Sequence, residues 1–260
     1  AVEQDQMPRW IDFRYFMRSH VWTQFFIDYT DMIRTVVPEA KTGRVGHDHF
    51  DFSRMGEQMT SSKVYVGQEA NSEWRHAMSI ELLQSFSHDQ SFLLAAQAMM
   101  RWHFDFETEV NRERWPWICL FLGLNGFDWE RGLLAETLGG ESCMTPCMSD
   151  PLPYFLDIAD EVRFLQRGIG KLTITAEPYR SDVAILWSPY NHYISRLHPF
   201  QDNAFSGTWL YNISVIGGAP ADALALMNSL RVRPTMIGPQ DIVAGDLEKR
   251  GFKTLLLPYS

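Results

Sequence analysis

Residues 251–260 read GFKTLLLPYS, and the run from Thr254 to Leu257 decides the class of fold. Apolar side chains follow one another there without alternation, after a charged turn bounded by Gly251. That is the pattern of a short strand covered on both faces of a parallel sheet. Such a strand needs helices on either side and crossovers to reach its parallel neighbours, so an α/β protein is expected. No residue follows Ser260 to cover the strand, and we expect residues 1–260 to be a window of a longer chain. The opening AVEQDQMPRW reads the same way, with no initiator Met, no basic segment leading into an apolar one and no cleavage-site pattern.

Working backwards from that strand, RVRPTMIG is a weaker strand whose Pro234 assigns it to a sheet edge or a bulge. Helices are predicted over Phe205 to Ile216, stopped by Gly217-Gly218, and over Ala221 to Leu230. SDVAILWSPYN, from Ser181 to Asn191, is a buried strand that ends in a Ser-Pro turn. Residues 179–260 thus read as the start of an open α/β domain, distinct from residues 1–178.

In the first part, strand and helix patterns alternate. HVWTQFFIDYTDMIRTVVPEA sets Trp22, Phe25, Phe26, Tyr29, Ile33 and Val36 at helical spacing and stops at Pro38. The segments TGRVGHDHFDF, SSKVYVGQEA, SFLLAAQAMMRWHF and LNGFDW read as strands; MSIELLQSF, RERWPWICLFLG and LPYFLDIADEVRFLQRGIG read as helices. The alternation calls for parallel strands joined by right-handed crossovers.

The chain carries 23 Lys and Arg against 32 Asp and Glu, a formal charge of −9, which disfavours nucleic acid and anionic membranes as partners. No apolar run reaches the roughly 18 residues of a membrane span. Three cysteines are too few for a disulfide scaffold. Cys119 reads as a small core residue, and Cys143 and Cys147 lack a second Cys or His pair at ligand spacing, so no metal is expected there. No cofactor is expected either. The 9 Trp and 17 Phe suit a large core or a pocket that stacks on sugar rings.

In a parallel barrel the loops at the C-terminal ends of the strands surround the site. That rule singles out His47, Asp48, His49 and Asp51 after the first strand, Glu69 after the second, His103, Glu107 and Glu109 after the third, and Asn125, Asp128 and Trp129 on the last. His47 and His49 share a strand face, as pocket lining or as two ligands of a metal hydrolase. Glu69 is a substrate group or a solvated helix start. Trp102, Trp115 and Trp117 read as core, whereas Trp129, at a strand end, reads as a sugar platform. HFDFETEVNRERWPW gathers carboxylates where a strand gives way to a helix. One such carboxylate can attack an anomeric carbon, and retaining glycoside hydrolysis needs a second about 5 to 5.5 Å away. Otherwise Glu107, Glu109 and Glu113 are a dipole-favoured helix N-terminus.

DVAILWSPYN, with FLQRGIGKLTITAEPYRS before it and FKTLLLPYS at the end, resembles the junction and trimerisation domain of glycoside hydrolase family 42 β-galactosidases. WIDFRYFMRSHVWTQFFIDYTDMIRTVVPEA is similar to the helix before that family's fifth barrel strand, and PWICLFLGLNGFDWERG to its seventh helix and eighth strand. The resemblance implies the later part of a (β/α)8 TIM barrel over 1–178 and the start of a flavodoxin-like trimerisation domain over 179–260. It also implies a carbohydrate substrate and a homotrimer. The family's Asn-Glu acid/base would precede Ala1, and its nucleophile Glu ends the seventh strand. FLLAAQAM has no Glu there, which leaves Glu109, or Glu107, for that role. Trp129, His47, Asp48, Glu69, His103 and Asn125 are the expected substrate-binding residues. A carbohydrate-binding relative that has lost the nucleophile is the alternative.

Overall fold

The computed structural model describes residues 6–45, 51–58, 61–66, 73–87, 92–98, 116–117, 119–130, 153–176, 179–191 and 215–258. The chain begins with one helical rod composed of α1 (Met7–Tyr15), a π-helical turn (Phe16–Val21) and α2 (Trp22–Val36). The rod stops where Pro38 forbids continuation, and Val37 is already extended at φ −129° and ψ 90°. One face buries Ser19, Thr23 and Thr30, while Trp22, Phe25, Tyr29, Met32 and Val36 stand exposed along another. These five recur at alternating spacings of three and four, the periodicity of a helix stripe made for covering.

The predicted alternation is present. β1 (Gly43–Val45), α3 (Phe52–Gln58), β2 (Ser61–Val66), α4 (Glu73–Ser85), β3 (Phe92–Ala98) and β4 (Gly126–Glu130) follow in turn. The strands pair in chain order β1-β2-β3-β4, all parallel. Residues 116–117 and 119–121 are helical, and α5 (Pro153–Gln166) and α6 (Ile169–Thr175) follow β4. Cys119 is fully buried, which pushes its thiol pKa up and makes it the core residue its surroundings suggested. Trp117 also has a structural role: its indole N–H donates to Glu161 Oε2 at 2.9 Å, and its ring lies 5.9 Å from that of Phe164 on α5.

A second parallel sheet is formed by β5 (Val183–Leu186), β6 (Thr235–Ile237) and β7 (Thr254–Leu256) in the order β6-β5-β7. Its connections are α7 (Val215–Ser229), α8 (Pro239–Val243) and α9 (Asp246–Lys249). β6 is an edge strand with Pro234 immediately before it, as the proline required.

Two expectations are corrected. Gly217-Gly218 does not stop a helix, because α7 runs through it and through Pro220. Packing outweighs propensity here: Ala219, Ala221 and Leu224 are buried, and small residues let α7 lie close to α4 and β5. β7 is not covered on both faces. Thr254 is exposed and Leu255 and Leu256 are only partly buried, since β7 pairs with β5 alone among the described residues.

Among the described residues, one buried cluster joins helices of the first part to strands of the second sheet. Phe52 of α3, Met78, Leu82 and Phe86 of α4 and its end, Ile185 and Trp187, Ala221 and Leu224, and Met236 form one buried cluster. From Met78 to Ser85, α4 is buried on nearly all sides, with β2 and β3 against one side and α7 and β6 against another. A helix so enclosed must satisfy its polar groups internally.

Candidate functional site

Because all four strands of the first sheet are parallel, the chain leaves them along one edge. Gln97 of β3 is in register with Val66 of β2 and Trp129 of β4, which forms the last full row across three strands. Trp129 is therefore one residue short of the C-terminal end of its strand, where the sequence pattern assigned it. Asn125 is at the other end: it immediately precedes Gly126, the first residue of β4. The difference is one of strand boundary, since LNGFDW contains both ends of a five-residue strand. His47, Asp48, His49, Glu69, Trp102, His103, Glu107, Glu109, Cys143 and Cys147 lie outside the described residues.

Asn125 lines a cavity of about 380 Å³ with Leu120, Leu124, Val162, Leu165 and Lys171. The walls are largely apolar and sit at the N-terminal end of β4, between it and the helices α5 and α6. In parallel α/β architectures that end serves stability, and chemistry takes the opposite one. Among the described residues no group of three or more His, Cys, Asp or Glu is gathered as for a metal ion, and no helix is long and apolar enough to cross a membrane.

Asp51 was grouped with the polar residues after the first strand, and the structure gives it a different task. It is only 6% exposed. Its backbone N–H donates to Thr23 Oγ1 at 3.0 Å, and its Oδ1 accepts the N–H of Arg54 at 3.3 Å, which caps the start of α3. Burial, with a smaller contribution from Asp241, raises its pKa above the ordinary 3.8. The folded protein therefore holds this proton more tightly than the unfolded chain does. Its contribution to stability is fully present below pH 3.8 and is lost as pH rises through the folded value. Asp51→Asn keeps the capping oxygen and removes the buried charge, so it should raise the melting temperature at neutral pH, with the gain vanishing below pH 3.8. Thermal melts of both proteins across that range check it.

The polar groups that sequence reasoning missed join the two sheets. Arg180 Nη1 donates to Glu81 Oε1, and Arg180 Nη2 donates to Gln84 Oε1 at 2.9 Å. Arg233 Nη2 donates to the same Gln84 oxygen at 2.6 Å and to the Leu122 carbonyl at 2.9 Å, while its Nε is 3.5 Å from Glu81 Oε2. Ser85 Oγ donates to Glu81 Oε1 at 3.1 Å and accepts the N–H of Met236 at 2.9 Å. At the other end of the contact, Ser53 Oγ donates to Asp241 Oδ2 at 3.1 Å, Gln240 Nε2 donates to Tyr15 Oη at 3.2 Å, and the rings of Tyr15 and Tyr190 stack at 4.4 Å. The available signal was Glu81 itself, a carboxylate inside the otherwise apolar helical run MSIELLQSF.

No protein-family model and no curated protein matches this sequence. Among solved structures, the chain is similar to a β-galactosidase from the psychrophilic Marinomonas ef1, with a TM-score of 0.59 and 12% identity over 86% of this chain and 38% of that one. A GH5_18 protein from Bifidobacterium longum subsp. longum, solved with Manb1-4GlcNAc, aligns at a TM-score of 0.49 and 12% identity over 80% of this chain and 50% of that one. The chain spans well under half of that β-galactosidase, and at this identity the likeness concerns the fold alone: a helix-rich α/β chain with a parallel sheet.

Proposed function

We propose that this chain is the later part of a (β/α)8 retaining glycoside hydrolase of the family 42 kind, acting on β-galactosides or related β-linked sugars. The observation that carries the reading is the all-parallel sheet in chain order β1-β2-β3-β4, in a fold similar to a β-galactosidase. Four such strands form half of an eight-stranded barrel. The exposed stripe on α2, which precedes β1 in the chain, and exposed Leu156, Phe164, Leu172 and Ile174 on α5 and α6, after β4, are the faces that further strands and helices would cover. In this reading Glu109, or else Glu107, on the segment after β3, is the nucleophile. Trp129 is the floor for a sugar ring, and His47, Asp48, Glu69 and His103 bind hydroxyls. The acid/base comes from strands outside residues 1–260. The order β6-β5-β7 puts the first strand of the second sheet between its second and third, as in flavodoxin-like sheets, which supports reading 179–260 as the start of such a domain.

A second reading is a carbohydrate-binding relative without hydrolytic activity. It is favoured by β3, which ends at Ala98 with no carboxylate along Phe92–Ala98. Turnover of 4-nitrophenyl β-galactoside separates the two. Residues 1–260 alone should give none, because general acid catalysis contributes about 10²- to 10⁴-fold. The polypeptide that includes the acid/base strands should turn it over. Binding of galactosides by that polypeptide without turnover of any β-glycoside would select the second reading.

A further inference from the structure

The two sheets meet along a surface whose properties differ from those of an ordinary domain contact. Contacts between domains in one chain resemble transient interfaces, so relative motion is the usual expectation. Here one buried cluster straddles the junction, and α4 packs against elements on both sides of it. Glu81 is buried on α4 between two guanidiniums that arrive from the strand leads of the second sheet, Arg180 before β5 and Arg233 before β6. Ser85 relays the same carboxylate to the outward N–H of the edge strand β6. That N–H would otherwise be unpaired at a sheet edge, so the helix closes the edge as well as packing against it. Ser53 and Asp241 tie the first turn of α3 to the start of α8.

We propose that α3, α4 and the second sheet are one cooperative unit, in which Glu81 couples the two sheets. The second sheet is then a clamp on two helices of the first, so the two do not open independently. A buried carboxylate with two cations is a strong coupler because losing it leaves two partly buried like charges facing each other.

Native-state amide hydrogen exchange of residues 1–260, followed with denaturant, reads the coupling. The slowest amides of α4 (Ile80 to Ser85), of β5 (Ala184 to Leu186) and of β6 (Met236) should open together, at one rate and with one denaturant dependence. In Glu81→Ala that class should split, with the β5 and β6 amides exchanging about 10²- to 10³-fold faster than in the wild type. Glu81→Gln, which keeps the shape and a hydrogen-bonding oxygen, should split it less and serves where the alanine variant does not fold. Two separate classes in the wild-type protein would overturn the single unit. A class that stays intact in Glu81→Gln while every amide in it accelerates equally would assign the coupling to the apolar core and remove Glu81 from the role.

Discussion

Gly56→Ala should all but abolish folding, although alanine is the better helix former by about 1 kcal/mol at an ordinary helix position. Gly56 lies inside α3, and a Cβ there would collide with the carbonyl oxygen of Phe86 and sit 2.7 Å from its carbonyl carbon. Neither atom is the free end of a side chain. Phe86 closes α4, its ring packs 6.0 Å from that of Phe52, and both rings belong to the shared core. The backbone of one helix would have to move off the other, carrying the core with it. Overpacking by a methylene or two in a close-packed interior costs about 1–3 kcal/mol, and a clash with rigid backbone belongs to the rare class above about 4 kcal/mol. Urea denaturation measures it, and an alanine variant as stable as the wild type would show that α3 and α4 are farther apart than described.

The second large effect concerns the proposed chemistry. In the polypeptide that carries the acid/base strands, Glu109→Gln should lower kcat for an aryl β-galactoside by at least about 10²- to 10⁴-fold, the range by which a single carboxylate taking part in the reaction contributes. A retaining glycosidase forms a covalent sugar intermediate on its nucleophile, and Gln cannot form that bond. Glu109→Ala should therefore regain turnover with added azide, which enters the vacated space, and the glycosyl azide should carry the inverted anomeric configuration. Glu107→Gln should leave kcat within a few-fold. If the two results are exchanged, the nucleophile is Glu107. If both variants turn over normally, neither residue is the nucleophile.

The clearest strands were legible as short apolar runs ended by polar or turn residues, as in FLLAA of β3, VAIL of β5 and TLL of β7. α2 was legible from its aromatic spacing and from Pro38. The parallel order followed from the alternation of elements, since parallel neighbours need a crossover between them. What was not legible is what depends on distant partners. Local rules gave Gly217-Gly218 as a stop, yet α7 continues because its small residues pack against α4 and β5, which the local window does not contain. The groups joining the sheets are 99 residues apart for Glu81 and Arg180 and 152 for Glu81 and Arg233, so no periodicity links them. At the candidate site, the strand pattern put Trp129 near the right end of β4. It gave Asn125 to the same end, because a pattern of alternating texture locates a strand better than it locates its first residue.

The π-helical turn at Phe16–Val21 has a consequence for how the N-terminal rod is phased. α1 presents Tyr15 to Tyr190 and Gln240, while α2 presents Thr23 to Asp51. An uninterrupted α-helix turns about 100° per residue, so the wide turn acts as a phase adjuster that lets one rod meet two surfaces at unrelated bearings. Removing a single residue from it would swing Tyr15 off its stack by roughly that angle and leave Thr23 where it is.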